Sequence, residues 1–132
     1  MRKLLVFAAA LVLGVSIVAA AQAGARAHDS MMRGIVLTNY KANPNGTITV
    51  FVKVHDWKMY PALVGKKTNK PDGGHWHIYV NGKYNNYSAS TKSGHTTKLK
   101  NGDYKIYVAL ANDDHSPVKG ADRSKTVTVM VG

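Results

Sequence analysis

The chain contains no cysteine and no glutamate among its 132 residues. Without cysteine there are no disulfides, thiolate zinc sites, cysteine nucleophiles or blue-copper centres, so the fold depends on packing and backbone pairing. Without glutamate there is no H-E-x-x-H zinc helix, and G-x-S-x-G elbows and phosphate-binding glycine loops are missing as well. No nucleophile stands beside a histidine that could act as a base. We therefore predict that the protein is not an enzyme.

Arginine is scarce, because only four of the 18 basic residues are arginine. The net charge of +11 comes mostly from lysines spread along the chain. Nucleic-acid-binding proteins usually gather arginine and aromatic residues on one face. Scattered lysine is more typical of a soluble surface with a weak attraction to anionic envelopes. The charge pattern therefore predicts no specific nucleic-acid partner.

A long apolar run occurs once, at the N-terminus. Residues 1–27 open with Arg2 and Lys3, continue through "LLVFAAALVLGVSIVAAA" and end in the small-residue sites "AQA" and "ARA". This layout predicts a secretory signal peptide cleaved after Ala23 or Ala27, and hence a periplasmic or secreted protein. An uncleaved anchor is the alternative, since the run could span a thin bilayer. After cleavage no segment could span a membrane, and residues 28–132 are long enough for one domain.

From Gly34 onward, apolar residues alternate with polar ones. In "HWHIYV", Trp76 and Ile78 share one face and His75 and His77 the other, and "TITVFVKVH", "DYKIYVAL" and "KTVTVMV" alternate in the same way. Such alternation predicts half-buried antiparallel strands, and Gly-containing turn signals separate them. The fold class is therefore all-β, and we expect an immunoglobulin-like antiparallel β-sandwich of about seven strands.

Two details favour the immunoglobulin-like topology. Trp76 takes the place of the buried tryptophan of strand C, and "NGDYKI" is similar to a tyrosine corner that opens strand F. The expected strands, from A to G, are 34–40, 47–55, 75–81, 87–91, 96–100, 103–111 and 124–131. The long B–C connection, 56–74, is then a candidate functional loop.

Histidines are the strongest chemical signal in the sequence. In the expected topology all six map to one pole of the sandwich, and imidazole is a common ligand for copper and zinc. His75 and His77, two apart on a strand, point the same way, and His115 lies in the F–G loop. We predict a copper or zinc site with these three as first choices and with further candidate ligands at His55, His95 and His28.

Carboxylates that orient ligating histidines are expected nearby, because such a histidine usually donates its second ring N–H to one. The candidates, each within three residues of a histidine, are Asp56, Asp72, Asp113 and Asp114. Cleavage after Ala27 would leave His28 as the first residue, where its amine and ring could chelate Cu(II), and Met31 and Met32 could add soft thioether ligands for Cu(I).

A metal-free module is the alternative function, in which aromatic side chains bind a glycan or a protein of the cell envelope. The candidate platforms are Trp57, Tyr60, Tyr79, Tyr84, Tyr87 and Tyr107. Tyr84 and Tyr87 are expected at the pole opposite the histidines, so a ligand bound there would favour this alternative.

The order of motifs also resembles a known family. "MYPA", "GGHWHIYVNG", "GHTTKL", "NGDYKIYVALANDDHSPV" and "TVTVMV" are together similar to the periplasmic domain-of-unknown-function family 4399 and related domains with H-x-H-x-Y-V-D/N-G and N-D-H-S motifs. The resemblance covers about residues 50–131 and implies export and a sandwich-like fold. Family members often carry three consecutive histidines and a second histidine in the last loop, whereas this chain has Trp76 and a single His115 there. The family implies no activity.

Overall fold

The structure, a computed structural model, describes residues 33–132. The expected signal peptide, its boundary with the domain, His28, Met31 and Met32 lie outside these residues. Across the described residues, no helix has the length and apolar character needed to cross a membrane. The elements are eight strands and one short 3-10 helix, Pro61–Leu63. The strands are β1 (Gly34–Ala42), β2 (Ile48–His55), β3 (Lys58–Met59), β4 (Gly73–Val80), β5 (Lys83–Ser88), β6 (Ser93–His95), β7 (Gly102–Ala111) and β8 (Val127–Val131).

The strands form two sheets that pack as a sandwich. One sheet has the order β1-β2-β6, and the other has the order β3-β4-β7-β8, with β5 paired to β4. All pairings are antiparallel except the short one between β3 and β4. This arrangement is the predicted all-β, immunoglobulin-like sandwich.

The core lies between the sheets and is built from the apolar half of each alternating strand. Ile48 and Val50 enter it from β2, Trp76 and Ile78 from β4, and all four are fully buried. Trp76 also touches β6 closely, because a Cβ added at Gly94 would lie 2.8 Å from the indole ring. The predicted core tryptophan is therefore confirmed, and it leaves the residues on either side of it facing outward from β4.

The tyrosine corner is present as well. The Tyr104 hydroxyl donates a hydrogen bond to the carbonyl of Lys100, four residues upstream, over 2.7 Å. This bond holds the connection that leads into β7.

The expected strand at 87–91 is wrong. The chain turns tightly at Asn81 and Gly82, whose φ angles are 50° and 82°, and β5 then pairs with β4. Asn-Gly is a strong signal for a two-residue hairpin, because both positions favour positive φ. The hairpin adds β5 to the edge of the second sheet, next to the histidine strand. The next strand is also earlier than expected, at Ser93–His95 instead of 96–100.

Candidate metal centre

His75 and His77 lie on the outer face of the second sheet. They alternate with Trp76, which faces the core, and they pair across β7 with Ala111 and Ala109. The two alanines are small, so the surface beside the imidazole rings stays open to a covering loop. Despite facing outward, His75 is fully buried and His77 is 4% exposed.

The covering loop carries His115. A turn after β7 is closed by hydrogen bonds from the backbone N–H of Asn112 to Ser116 and from that of His115 to Asn112, each 2.9 Å long. His115 has a φ of 72°, in the left-handed region that costs a β-carbon-bearing residue energy. Strain of this kind is often found where a side chain must point at a functional site. Here the conformation aims the exposed ring of His115 at the sheet.

Three ring nitrogens meet at this point. The Nε2 atoms of His75 and His77 are 3.0 Å apart, and His115 Nδ1 lies 3.2 Å from the first and 3.1 Å from the second. Among the described residues, these histidines form a group whose donor atoms could hold one metal ion. We refer to His75, His77 and His115 as the histidine triad.

The triad is poorly satisfied by protons alone. A neutral imidazole nitrogen either carries a proton or offers a lone pair, so three such nitrogens in mutual contact always include one pair of the same kind. A cation resolves this conflict, because all three lone pairs can then face it. An ion at the roughly 2.0–2.1 Å typical of zinc–nitrogen bonds would lie about 1 Å out of the plane of the three atoms. The arrangement leaves one side of the ion without a histidine ligand.

Burial keeps two members of the triad neutral. Desolvation, with a smaller effect from His115, lowers the pKa of His75 to about 4, and Asp113 acts in the opposite direction. Desolvation, followed by His75 and His115, lowers the pKa of His77 to about 4. Both rings therefore offer lone pairs to a metal at neutral and mildly acidic pH.

Asp113 is fully buried and joins two loops over the site. Its Oδ2 accepts hydrogen bonds from the Lys70 backbone N–H at 3.0 Å and the Thr68 hydroxyl at 3.3 Å. Its carbonyl accepts one from the Gly65 N–H at 2.7 Å. A Cβ added at Gly65 would lie 3.8 Å from His115 Nε2, so this loop packs against the outer nitrogen of that ring. The predicted functional loop 56–74 is thereby held beside the triad.

The proton of His75 follows from which of its ring nitrogens meets the triad. Because Nε2 contacts the other two rings, a neutral His75 that offers the Nε2 lone pair to a metal carries its proton on Nδ1. His75 Nδ1 and Asp113 Oδ1 are both buried, and neither has a hydrogen-bond partner within residues 33–132.

Two tyrosines flank the triad, contrary to expectation. Tyr84 and Tyr87 were expected at the opposite pole, but β5 carries them to the histidine strand. The Tyr84 ring meets that of His77 edge-on with centroids 4.7 Å apart, and the Tyr87 ring meets that of His75 at 5.6 Å. The Asn81-Gly82 hairpin signal could have revealed this neighbourhood.

Trp57, expected as an aromatic platform, is instead a support for the site. It is 6% exposed, and its indole N–H donates to the His75 carbonyl at 3.2 Å. Gly74 lies against the same region, because a Cβ there would be 2.3 Å from the Ala111 carbonyl oxygen and 3.1 Å from the Trp57 ring. The backbone at the start of β4 is therefore packed closely between the Ala111 carbonyl and the Trp57 ring.

The remaining predicted ligands are not part of the triad. His55 is exposed at the end of β2, in the first sheet. His95 pairs with Thr49 near the beginning of β2, six residues from His55, which corresponds to about 20 Å along a strand. The expectation that His95 shares the histidine pole is wrong, because β6 comes earlier in the chain than predicted.

The other predicted carboxylates have local roles. Asp114 accepts hydrogen bonds from Ser116 and Asn69, which lower its pKa to about 2. Asp72 accepts a hydrogen bond from Tyr60 and lies 3.3 Å from the Lys58 ammonium, and both contacts lower its pKa.

Asp56 is exposed and follows β2 with a φ of 50°. Among the four predicted carboxylates, Asp113 raises the pKa of a triad histidine, His75.

Comparisons with known proteins are sparse. No family model and no curated protein matches the chain. Among solved structures, the chain is similar to the fibronectin(III)-like modules of Clostridium thermocellum CbhA, with 16% sequence identity and a TM-score of 0.48. The match covers 76% of this chain and 47% of that one, so this chain spans about half its length. The likeness concerns the fold alone, and the resemblance to family 4399 stays a prediction.

Proposed function

We propose that the protein is a small exported β-sandwich module that binds a divalent transition metal, copper or zinc, through His75, His77 and His115. The observation that carries the proposal is the convergence of three ring nitrogens within 3.0–3.2 Å of one another. Nitrogen-rich ligand sets suit copper and zinc better than calcium or magnesium, which prefer oxygen ligands.

The surroundings of the triad support a metal over a chance cluster. Two of the rings are buried with pKa values near 4, which keeps their lone pairs available. The third is presented from a left-handed backbone position by a turn that is closed by hydrogen bonds. A buried carboxylate, Asp113, raises the pKa of His75 against the larger effect of desolvation. Such outer partners usually orient a ligand and raise its basicity.

Export and a non-catalytic role complete the proposal. Residues 1–27 have the charge, apolar run and small-residue sites of a secretory signal, which supports a periplasmic or secreted location. The absence of glutamate and of nucleophile motifs in the sequence supports a binding role.

Metal titration tests the proposal. Copper(II) and zinc(II) are titrated into the metal-free protein, and stoichiometry and affinity are measured by native mass spectrometry and calorimetry. We expect one ion per chain and a loss of at least about 100-fold in affinity in His77→Ala, because one of three ligands is removed. His95→Ala is the matched control and should bind as the unaltered protein does. Unchanged affinity in His77→Ala would overturn the proposal.

A metal-free binding module is the second candidate, and the exposure of two tyrosines favours it. Tyr84 is 50% exposed and Tyr87 is 44% exposed, and both lie on one face. Exposed aromatic rings can stack on a glycan or a protein partner. A glycan that binds equally well with and without a chelator, and more weakly to Tyr87→Ala than to Tyr40→Ala, would support this candidate.

A further inference from the structure

A cavity of about 310 Å³ opens beside the histidine triad. Its walls are His77 and His115 from the triad and Tyr79 and Tyr84 from the neighbouring hairpin. The cavity therefore borders two of the three triad residues, while the third, His75, is fully buried.

The proposed ion would have room for a further ligand. Three nitrogens 3.0–3.2 Å apart occupy one side of an ion, and a tetrahedral or five-coordinate metal keeps at least one position beyond them. Sites that retain such a position bind water or an external ligand there. Because the cavity shares His77 and His115 with the triad, an external ligand can approach through it.

The charge of the centre favours an anion. Three neutral imidazoles supply no charge to balance the two positive charges of a divalent ion, and the Asp113 carboxylate that acts on His75 supplies one negative charge, so the centre keeps a net positive charge. The protein as a whole is also basic, with a net charge of +11. An anion is therefore attracted to the open position.

The walls of the cavity favour an anion that carries an aromatic ring. The Tyr84 ring is half exposed and is held edge-on against His77. Tyr79 is fixed by stacking on Tyr107, with centroids 4.7 Å apart and ring planes 9° from parallel. Arg123 lies 4.4 Å from the centre of the Tyr107 ring and covers the far side of this stack. Two immobilised aromatic rings form a preorganised wall for a third ring.

We propose that the cavity beside the triad binds a small aromatic carboxylate, whose carboxylate takes the open position on the metal and whose ring packs against Tyr84 and Tyr79. This inference rests on the proposed metal site and adds the chemical class of a second ligand. The cavity volume of about 310 Å³ equals that of about ten water molecules in the liquid, at about 30 Å³ each. This is ample for one aromatic ring and its carboxylate.

Anion binding to the copper(II)-loaded full chain tests the inference, with the visible absorption of copper as the signal. Benzoate is the probe, acetate has the same head group without the ring, and benzyl alcohol has the ring without the charge. We expect a saturable shift with benzoate, a weaker one with acetate by about fivefold in affinity, and none with benzyl alcohol. Equal affinities for benzoate and acetate, or no shift with either, would overturn the inference.

Variants separate the wall from the metal ligands. Tyr84→Ala should reduce benzoate affinity to that of acetate, while copper affinity changes by less than about twofold. Tyr84→Leu should restore part of the benzoate affinity, because leucine still packs against His77. Tyr40→Ala, an exposed tyrosine of the first sheet, is the matched control and should leave benzoate affinity unchanged.

Copper loading is measured before any anion is added. Failure to load copper(II) would overturn this inference, and failure to load zinc(II) as well would overturn the metal site with it. Loading without a benzoate response would overturn this inference alone.

Discussion

The outer faces of the two sheets follow the same alternation yet end in opposite environments. On the first sheet, outward residues such as Phe51, His55 and His95 are exposed. On the second, outward His75 and His77 are almost completely buried. The strands themselves do not cause this difference. It arises because two loops fold over the second sheet, whereas within residues 33–132 the outward residues of the first sheet stay exposed.

The comparison shows that the chemistry of a histidine on these sheets depends on whether loops cover its strand and bury its ring. His95 and His77 are both outward residues of β-strands, but His95 is exposed, whereas His77 is buried against two other imidazoles and has its pKa lowered by desolvation. A loop pair joined at Asp113 converts an ordinary sheet face into a candidate metal centre. Changes that remove, titrate or loosen this cover should make the second face behave like the first.

The largest effect is expected from Asp113→Ala, which removes the side-chain bonds between the two loops. The change leaves the part-buried Lys70 N–H without its acceptor and removes the Thr68 contact, so we expect a loss of about 2–3 kcal/mol in the free energy of unfolding. Urea denaturation of the metal-free protein measures it. Asp103→Ala, at an exposed position of β7, is the control and should change stability by less than about 0.5 kcal/mol.

Acid is the next largest perturbation. The pKa values of His75 and His77 are near 4 in the fold, below the usual 6.5, so the unfolded state binds more protons between these values. Stability of the metal-free protein should therefore be complete above about pH 6.5 and fall by a few kcal/mol, roughly, as pH drops to about 4.

Denaturation in a chelating buffer across this pH range checks the prediction. His77→Gln should flatten the pH dependence, because it removes one of the two buried neutral histidines. A flat profile in the unaltered protein would contradict the burial of two neutral histidines.

A smaller effect is expected from the backbone at His115. Because its φ is 72°, His115→Ala should be less stable than His115→Gly by about 1 kcal/mol, a reversal of the usual order in regular structure. Both variants should lose metal affinity, since both lack the ring. Thermal unfolding of the two metal-free variants measures the difference, and equal stabilities would show that the turn relaxes.

The smallest effects are expected on the first sheet. His55→Ala and Tyr40→Ala remove exposed side chains, so each should change the free energy of unfolding by less than about 0.5 kcal/mol and leave metal affinity unaltered. A loss of metal affinity in His55→Ala, measured by calorimetry, would show that the two faces are less separate than the structure indicates.

Much of the fold follows from patterns that act locally. Alternation places Trp76 in the core and His75 and His77 on the opposite face, and the Tyr104 corner is confirmed. These features depend on the two-residue period of a strand and on one turn. The pairing of His75 and His77 with His115 was also within reach, since it requires only that β4 and β7 lie side by side.

The rest depends on contacts between residues far apart in the sequence. Lys70 and Asp113 are 43 residues apart, and nothing in "NDDHSP" distinguishes a buried aspartate from an exposed one. Asp113 and Asp114 are neighbours of the same type, yet one is fully buried and the other exposed. The site of Tyr84 was missed for a different reason, because the hairpin at Asn81 was interpreted as a change of sheet.

His115 reaches the other two histidines only after β4 and β7 have paired, since 38 residues separate it from His77. An ion held by all three rings is therefore held by the folded chain and not by the unfolded one. Free metal at 100 times its dissociation constant would add about 2.7 kcal/mol to the free energy of unfolding. The melting temperature of the domain would then rise with the metal concentration around it, and its lifetime against proteolysis would depend on the same supply.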